Sequence, residues 1–236
     1  MLMPRNCSAI ILAAGKGNRA ATEIPKQYMK INGRPLLEYS LHSFINSRLF
    51  TQIILVIARQ DEALCRSSLP PKLHKQIKIT FGADSRQAST WQALSALADN
   101  PPDYVFIHDA ARPFISYQKL QELQQNLQPN QGVSLALRVS DSIKKINQQN
   151  FITENIDRKH LYAAQTPQAF PFSAIFKAHQ QASAQAATDF TDDSALATYY
   201  GLPVKLLPGN ATNIKLTWKQ DFQIAEFLAQ NYQWEE

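Results

Sequence analysis

The chain has 236 residues, 44% hydrophobic and 18% charged, enough to bury a sizeable core and suited to one large globular domain. Lys plus Arg number 24 against 19 Asp plus Glu, a formal charge of +5 that favours an anionic ligand but is too diluted to require nucleic acid. No apolar run approaches the roughly 20 residues of a membrane span, too few residues precede the first strand for a leader peptide, and the distant Cys7 and Cys65 fit no zinc or disulfide spacing, which leaves a cytoplasmic globular protein.

Short Ile- and Val-rich runs alternate with segments of helical period. Ser8 to Ala14 reads as a strand buried on both faces, continuously apolar until Gly15. Leu36, Leu37, Leu41, Phe44 and Ile45 recur at helical spacing after Pro35, which suits a first-turn proline, and Gln52 to Ala58 is the next strand. This is the βαβ pattern of a parallel sheet. The pattern continues with a strand over 77–81, a helix over 89–98, a strand over 104–107, a helix carrying Leu120, Leu123 and Leu127, and a strand over 133–137. Residues 139–160 are polar with short β-like pieces around Ile143 and Phe151, as expected of a hairpin arm outside the main sheet. Thr191-Asp192-Asp193 then opens a helix over 195–200 that Gly201 ends, followed by a strand over 204–207. Thr217 with Gln220 fits a capping box for a last helix whose apolar face holds Ile224, Phe227 and Leu228. The reading is one open α/β sheet domain over 1–236 with 139–160 as an arm.

Ligands of such sheets bind at the carboxyl ends of the strands, so the segment after the first strand is the first place to look. Gly15, Gly17 and Ala20 satisfy the dinucleotide-binding spacing, but Pro25 interrupts an immediate helix, the next strand begins only near Gln52, and the nearest candidate acid, Glu38, falls inside a helical pattern. A Walker loop is excluded because no Gly-Lys-Ser/Thr follows. What the excursion does hold is two glycines that let backbone amides approach a ligand. Over 15–34 it also carries Lys16, Arg19, Lys26, Lys30 and Arg34 against Glu23 alone. Amides plus cations are what a triphosphate requires.

The runs Leu12-Ala13-Ala14-Gly15-Lys16-Gly17-Asn18-Arg19 and Pro25-Lys26-Gln27-Tyr28 resemble the nucleotide-binding signature of the sugar-phosphate nucleotidyltransferases. With His108-Asp109-Ala110-Ala111-Arg112-Pro113, Asp157-Arg158, Gln165-Thr166-Pro167-Gln168 and Thr191-Asp192-Asp193, the sequence is similar to the 2-C-methyl-D-erythritol 4-phosphate cytidylyltransferase family over nearly the whole chain, in the family's order. The resemblance implies a Rossmann-like nucleotidyltransferase fold, a mostly parallel twisted sheet flanked by helices with a protruding β-hairpin. It implies a homodimer in which each arm reaches the partner's site. It further implies transfer of CMP from CTP to the methylerythritol phosphate, releasing pyrophosphate, with Mg²⁺ carried mainly on the CTP phosphates and no metal site of the protein's own.

The resemblance carries residue roles onto matching positions. Arg19 and Lys26 would stabilise the transition state at the phosphates. Arg158, Lys215, Asp109, Ser142 and Thr166 would position the acceptor. Leu12, Ala13, Ala14, Gly15, Gly17, Ala83, Asp84, Ser89, Asp109 and Ala110 would surround the nucleotide, with 82–84 and Ser89 reading the cytosine through its amino group. Read as residues alone, Asp84 opens a turn, Ser89 caps a helix, His108 holds its loop, and Arg112 holds the same loop through an ion pair. Leu12, Ala83 and Ser142 stand where the family often has proline, glycine and threonine. Ala83 would be strained if its position needs positive φ. The ribitol-5-phosphate cytidylyltransferases share the glycine loop, the lysine and much of Thr-Pro-Gln, but Ala13-Ala14, Ala110-Ala111 and 191–195 favour the methylerythritol family. A nucleotide-binding regulator without chemistry would not need Arg19, Lys26, Arg158 and Lys215 together.

Overall fold

The computed structural model describes residues 5–15, 24–187 and 190–232. Eleven strands and eight α-helices follow one another among these residues: β1 (Cys7–Ala13), β2 (Lys30–Ile31), β3 (Arg34–Pro35), α1 (Leu36–Ser47), β4 (Gln52–Ile57), α2 (Glu62–Ser68), α3 (Pro71–His74), β5 (Lys78–Phe81), α4 (Arg86–Ser95), β6 (Tyr104–Asp109), α5 (Tyr117–Gln125), β7 (Gly132–Arg138), β8 (Ile143–Ile146), β9 (Ile152–Ile156), β10 (Tyr162–Pro171), α6 (Phe172–Ala184), α7 (Asp193–Tyr199), β11 (Val204–Pro208) and α8 (Lys219–Gln230). Seven strands form one sheet in the order β11-β7-β10-β6-β1-β4-β5. All neighbours are parallel except β10, which runs antiparallel to both β6 and β7.

The apolar runs are continuous because both faces of this sheet are covered. Along β1, Cys7, Ala9, Ile11 and Ala13 point into a core closed by Leu37, Leu41 and Phe44 of α1 and Leu120 and Leu123 of α5. Ile10 points the other way, with Ile54 and Val56 of β4, into a core closed by Ala93 and Leu94 of α4, Ile175 and Ala178 of α6 and Leu196 of α7. Burying one such side chain contributes about 1.5–3 kcal/mol. A third cluster seats Phe222 and Ala225 of α8 against Ile31, Leu36 and Tyr39.

Three local expectations are corrected. Pro35 is the cap residue before α1, with extended ψ of 140°, and not in its first turn. The last helix is capped by Asp221, whose carboxylate accepts from the amides of Thr217 (2.6 Å) and Trp218 (2.7 Å); Gln220 plays no such part. Helix α4 is capped by the hydroxyl of Ser85, which accepts from the Ala88 amide at 3.0 Å, and Ser89 lies inside it. Asp192 does cap α7 through the Ala195 amide at 2.8 Å, and Gly201 follows with φ of +85°.

Strand β10 and helix α6 have no counterpart in the sequence reading, because Pro167 interrupts the strand and removes a ladder donor. The structure places the proline where the β10–β7 register shifts, between Gln165 and Gln168. Within 139–160, β8 and β9 pair as a two-stranded sheet apart from the main one, Ile143 with Ile156 and Lys145 with Glu154. Among the described residues no helix is long and apolar enough to cross a membrane.

Candidate active site

The carboxyl ends of β1, β4, β5 and β6 meet at one edge of the sheet, where loops can approach a ligand. At the end of β1, the Ala13 carbonyl accepts from the buried Gln27 side chain at 2.7 Å, which holds the 3₁₀ turn Lys26–Tyr28 against the strand. The Ala110 amide donates to the Leu12 carbonyl at 3.0 Å, continuing the β6–β1 ladder past Asp109. Gly15 is exposed, with open space where a Cβ would stand. Arg19 and Gly17 lie outside the described residues.

After β5, the Gly82 amide donates to the Ile57 carbonyl at 2.9 Å, and the Ala83 amide to the buried Ser89 hydroxyl at 3.0 Å. A Cβ on Gly82 would stand 2.5 Å from the Ala14 Cβ and 2.7 Å from the Ser89 oxygen, so only glycine lets these two segments touch. Ala83 is not among the described residues with positive φ, so alanine is unstrained there. Ala83 and Asp84 are exposed.

Asp109, the last residue of β6, is the electrostatic centre. Its Oδ1 accepts from Arg86 Nε at 3.0 Å and its Oδ2 from Lys215 Nζ at 2.7 Å. Burial alone would raise its pKa, but the Arg86 and Lys215 cations outweigh this and hold the carboxyl far below the usual carboxylate range. Lys26 Nζ donates to the carbonyl of Leu216, next to Lys215, at 2.8 Å. Lys26 is thus tied to the segment that carries Lys215.

The buried Thr166 hydroxyl accepts from the Asp109 amide at 3.0 Å and lies 3.1 Å from His108 Nδ1. Its proton is directed to Nδ1, which makes Nε2 the protonated nitrogen donating to the Arg112 carbonyl at 3.0 Å. Burial pushes His108 down to about 4, so it stays neutral. It braces a loop and has no nitrogen left for proton transfer. Arg112 does not make the expected ion pair as a hydrogen bond: it donates to the carbonyls of Asn213 (2.9 Å) and Ala164 (3.2 Å).

Arg158 and Ser142 are exposed on the arm side, where the Arg158 guanidinium donates to the Ser140 carbonyl. Neither forms a hydrogen bond to Asp109, Lys215 or Lys26 among the described residues. The structure thus joins Lys215, Asp109 and Thr166 by hydrogen bonds, ties Lys26 to the adjacent Leu216, and leaves Arg158 and Ser142 apart.

Sequence reasoning passed over Arg86, Gln165, Gln168 and Asn213. Gln165 spans the 209–213 segment, donating to the Asn210 carbonyl at 3.0 Å, and Asn213 donates back to the Thr166 carbonyl at 2.9 Å. Gln168 bridges the Asp192 carboxylate and the Ser194 amide, both at 3.0 Å. The Gln165-Thr166-Pro167-Gln168 run was the available signal for the two glutamines. Among the described residues no three His, Cys, Asp or Glu side chains converge on a point. With both Asp109 oxygens engaged by cations, these residues do not form a magnesium cage.

The family model for 2-C-methyl-D-erythritol 4-phosphate cytidylyltransferase (IspD) matches residues 7–231. A bifunctional enzyme IspD/IspF of Bartonella tribocorum is 43% identical over 230 residues, covering 97% of this chain and 57% of that protein. A bifunctional enzyme IspD/IspF of Brucella abortus is 42% identical, covering 91% of this chain and 55% of that protein. The chain therefore spans little more than half the length of these relatives. Among solved structures, the 4-diphosphocytidyl-2C-methyl-D-erythritol synthase of Anaerococcus prevotii superposes with a TM-score of 0.82 at 29% identity, covering 96% of this chain and 97% of that one. The 2-C-methyl-D-erythritol 4-phosphate cytidylyltransferase of Francisella tularensis gives a TM-score of 0.80 at 30% identity, covering 94% and 99%.

Proposed function

From the premise that the chain belongs to the 2-C-methyl-D-erythritol 4-phosphate cytidylyltransferase family, we propose that it transfers CMP from CTP to 2-C-methyl-D-erythritol 4-phosphate and releases pyrophosphate. The observation that carries this reading is the Lys215 ammonium on the ionised Asp109 at the carboxyl edge of the sheet, with Lys26 tied to the neighbouring Leu216 carbonyl. Two anions must be brought together here, and fixed cations lower the cost of their approach and of charge spreading in the transition state.

The acceptor phosphate has a second pKa near 6 and is largely dianionic at neutral pH. It attacks the α-phosphorus without a general base, in keeping with a His108 that is neutral and fully hydrogen-bonded. Lys26 offsets charge on the triphosphate, and Lys215 holds the acceptor phosphate in line. The room beside Gly15 admits phosphate oxygens close to backbone. Arg19 adds a second cation to the triphosphate. Asp84 and the Ser89-braced loop face the cytosine amino group. Mg²⁺ carried on the CTP phosphates would supply further positive charge there, beside the chain's own Lys26.

The arm supports a homodimer in which Arg158 and Ser142 complete the partner's site: Ile146, Phe151 and Ile152 on it are more than half exposed, at 51%, 70% and 62%. The free thiols of Cys7 and Cys65, both buried, fit a reducing cytoplasm. The test is pyrophosphate release with CTP and Mg²⁺ and either methylerythritol 4-phosphate or ribitol 5-phosphate. Faster release with methylerythritol phosphate is expected; faster release with ribitol 5-phosphate overturns the substrate assignment.

A further inference from the structure

We propose that Arg86 is the positioning residue that aims the Asp109 carboxylate, and through it Lys215, at the acceptor phosphate. The inference rests on the proposed function and adds a residue to it. Arg86 opens α4 and lies 23 residues from Asp109 and 107 from Asp193, yet it joins them: Nε to Asp109 Oδ1 at 3.0 Å, Nη1 to Asp193 Oδ2 at 2.7 Å. Asp193, in the first turn of α7, is 1% exposed and accepts at its other oxygen from His179 Nε2 of α6 at 3.0 Å. His179 is also 1% exposed. The guanidinium is therefore pinned from behind by two elements of the core.

Asp109 has a carboxylate that could rotate about its side-chain torsions. The planar guanidinium presents Nε to Asp109 Oδ1 and Nη1 to Asp193 Oδ2, a rigid two-way span between the carboxylates that a lysine ammonium lacks. With Oδ1 committed to Arg86, Oδ2 is the oxygen left to Lys215, and the 2.7 Å contact sets where that ammonium stands. Three helices on one face of the sheet, α4, α6 and α7, thus determine the position of a lysine carried by the 209–218 segment beyond the edge.

Arg86→Ala by itself would leave two buried carboxylates without their shared partner and lower the melting temperature. The test is therefore made with the full chain carrying Arg86→Ala together with Asp193→Asn, which removes the second orphaned charge and keeps an acceptor for His179. The expected result is a melting temperature close to wild type and a CTP dissociation constant within about threefold of wild type. Alongside these, kcat/KM for the acceptor should fall by about 10²-fold, the loss typical of a reacting group misplaced by about 1 Å. Arg86→Lys with native Asp193 should fold and recover less than a tenth of that loss, because its ammonium lacks the fork. A double variant with acceptor kcat/KM within about threefold of wild type overturns the proposal and leaves Arg86 a structural ion-pair partner.

A second readout needs no turnover: the ¹³C carboxyl resonance of Asp109, with Arg86 of α4, Lys215 and Arg112 as the charged groups around it. Removing Arg86 should change the Asp109 resonance and raise its titration midpoint, and an unchanged resonance overturns the proposal. If the wild-type chain turns over neither polyol phosphate, the proposed function fails, and this resonance still decides whether Arg86 holds Asp109.

Discussion

Replacing Gly82 by alanine tests whether the end of β1 and the start of α4 must touch for the nucleotide site to form. The added Cβ would lie 2.5 Å from the Ala14 Cβ and 2.7 Å from the Ser89 oxygen. Carbon atoms in contact sit about 3.5–4.0 Å apart, so one segment must retreat by about 1 Å. Gly82 is not among the described glycines with positive φ, so the effect is steric and not a matter of backbone freedom. Overpacking of this kind costs about 1–3 kcal/mol. If the 82–84 loop, proposed to bind CTP, absorbs it, affinity falls tenfold per 1.4 kcal/mol, roughly 5- to 150-fold. Calorimetric titration of CTP into the variant reads this directly. Adding Ala14→Gly removes the nearer obstacle and should return part of the lost affinity. A Gly82→Ala protein that binds CTP within about twofold of wild type refutes the reasoning.

Lys26→Ala should leave the fold intact and lower kcat by about 10²–10³-fold, since it removes one preorganised donor at the phosphates; unchanged turnover removes Lys26 from the mechanism. Because burial lowers His108 from 6.5 in the unfolded chain to about 4, the unfolded state binds the extra proton between those values. His108 stabilisation is therefore complete above about pH 6.5 and is lost towards pH 4, up to about 3 kcal/mol. Thermal melts from pH 8 to pH 4 should show this slope in wild type and a shallower one in His108→Gln; equal slopes contradict it. If Arg158 acts on the partner's site, mixing Arg158→Ala with Lys26→Ala protein should restore part of the activity through heterodimers. Absence of rescue with subunit exchange verified argues against arm exchange.

The parallel strands were legible because burial on both faces demands uninterrupted apolar runs, and β1 and β4 contain little else. Strand β10 was not, since a proline inside Gln165-Thr166-Pro167-Gln168 looks like a loop until a register shift accommodates it. At the site, short motifs exposed Lys26, Asp109 and Lys215, which stand within runs of related chemistry. Arg86 was hidden because its meaning lies in two carboxylates far away in sequence, and a lone arginine at a helix start is indistinguishable from a surface cation. Thr166 was read as positioning the acceptor, and its hydroxyl bonds the Asp109 amide and His108, contacts that spacing along a chain does not carry.

The central claim is that an oxygen of the acceptor's own phosphate becomes bonded to the α-phosphorus of CTP at this edge of the sheet, with pyrophosphate as the leaving group. Single-turnover ³¹P NMR with methylerythritol 4-phosphate ¹⁸O-labelled at its non-bridging phosphate oxygens tests it most directly. The account predicts a cytidine diphosphate ester that keeps all of the label, one labelled oxygen now in the diphosphate bridge, and unlabelled pyrophosphate. Label in the pyrophosphate, or no diphosphate ester formed by the wild-type chain, would contradict it.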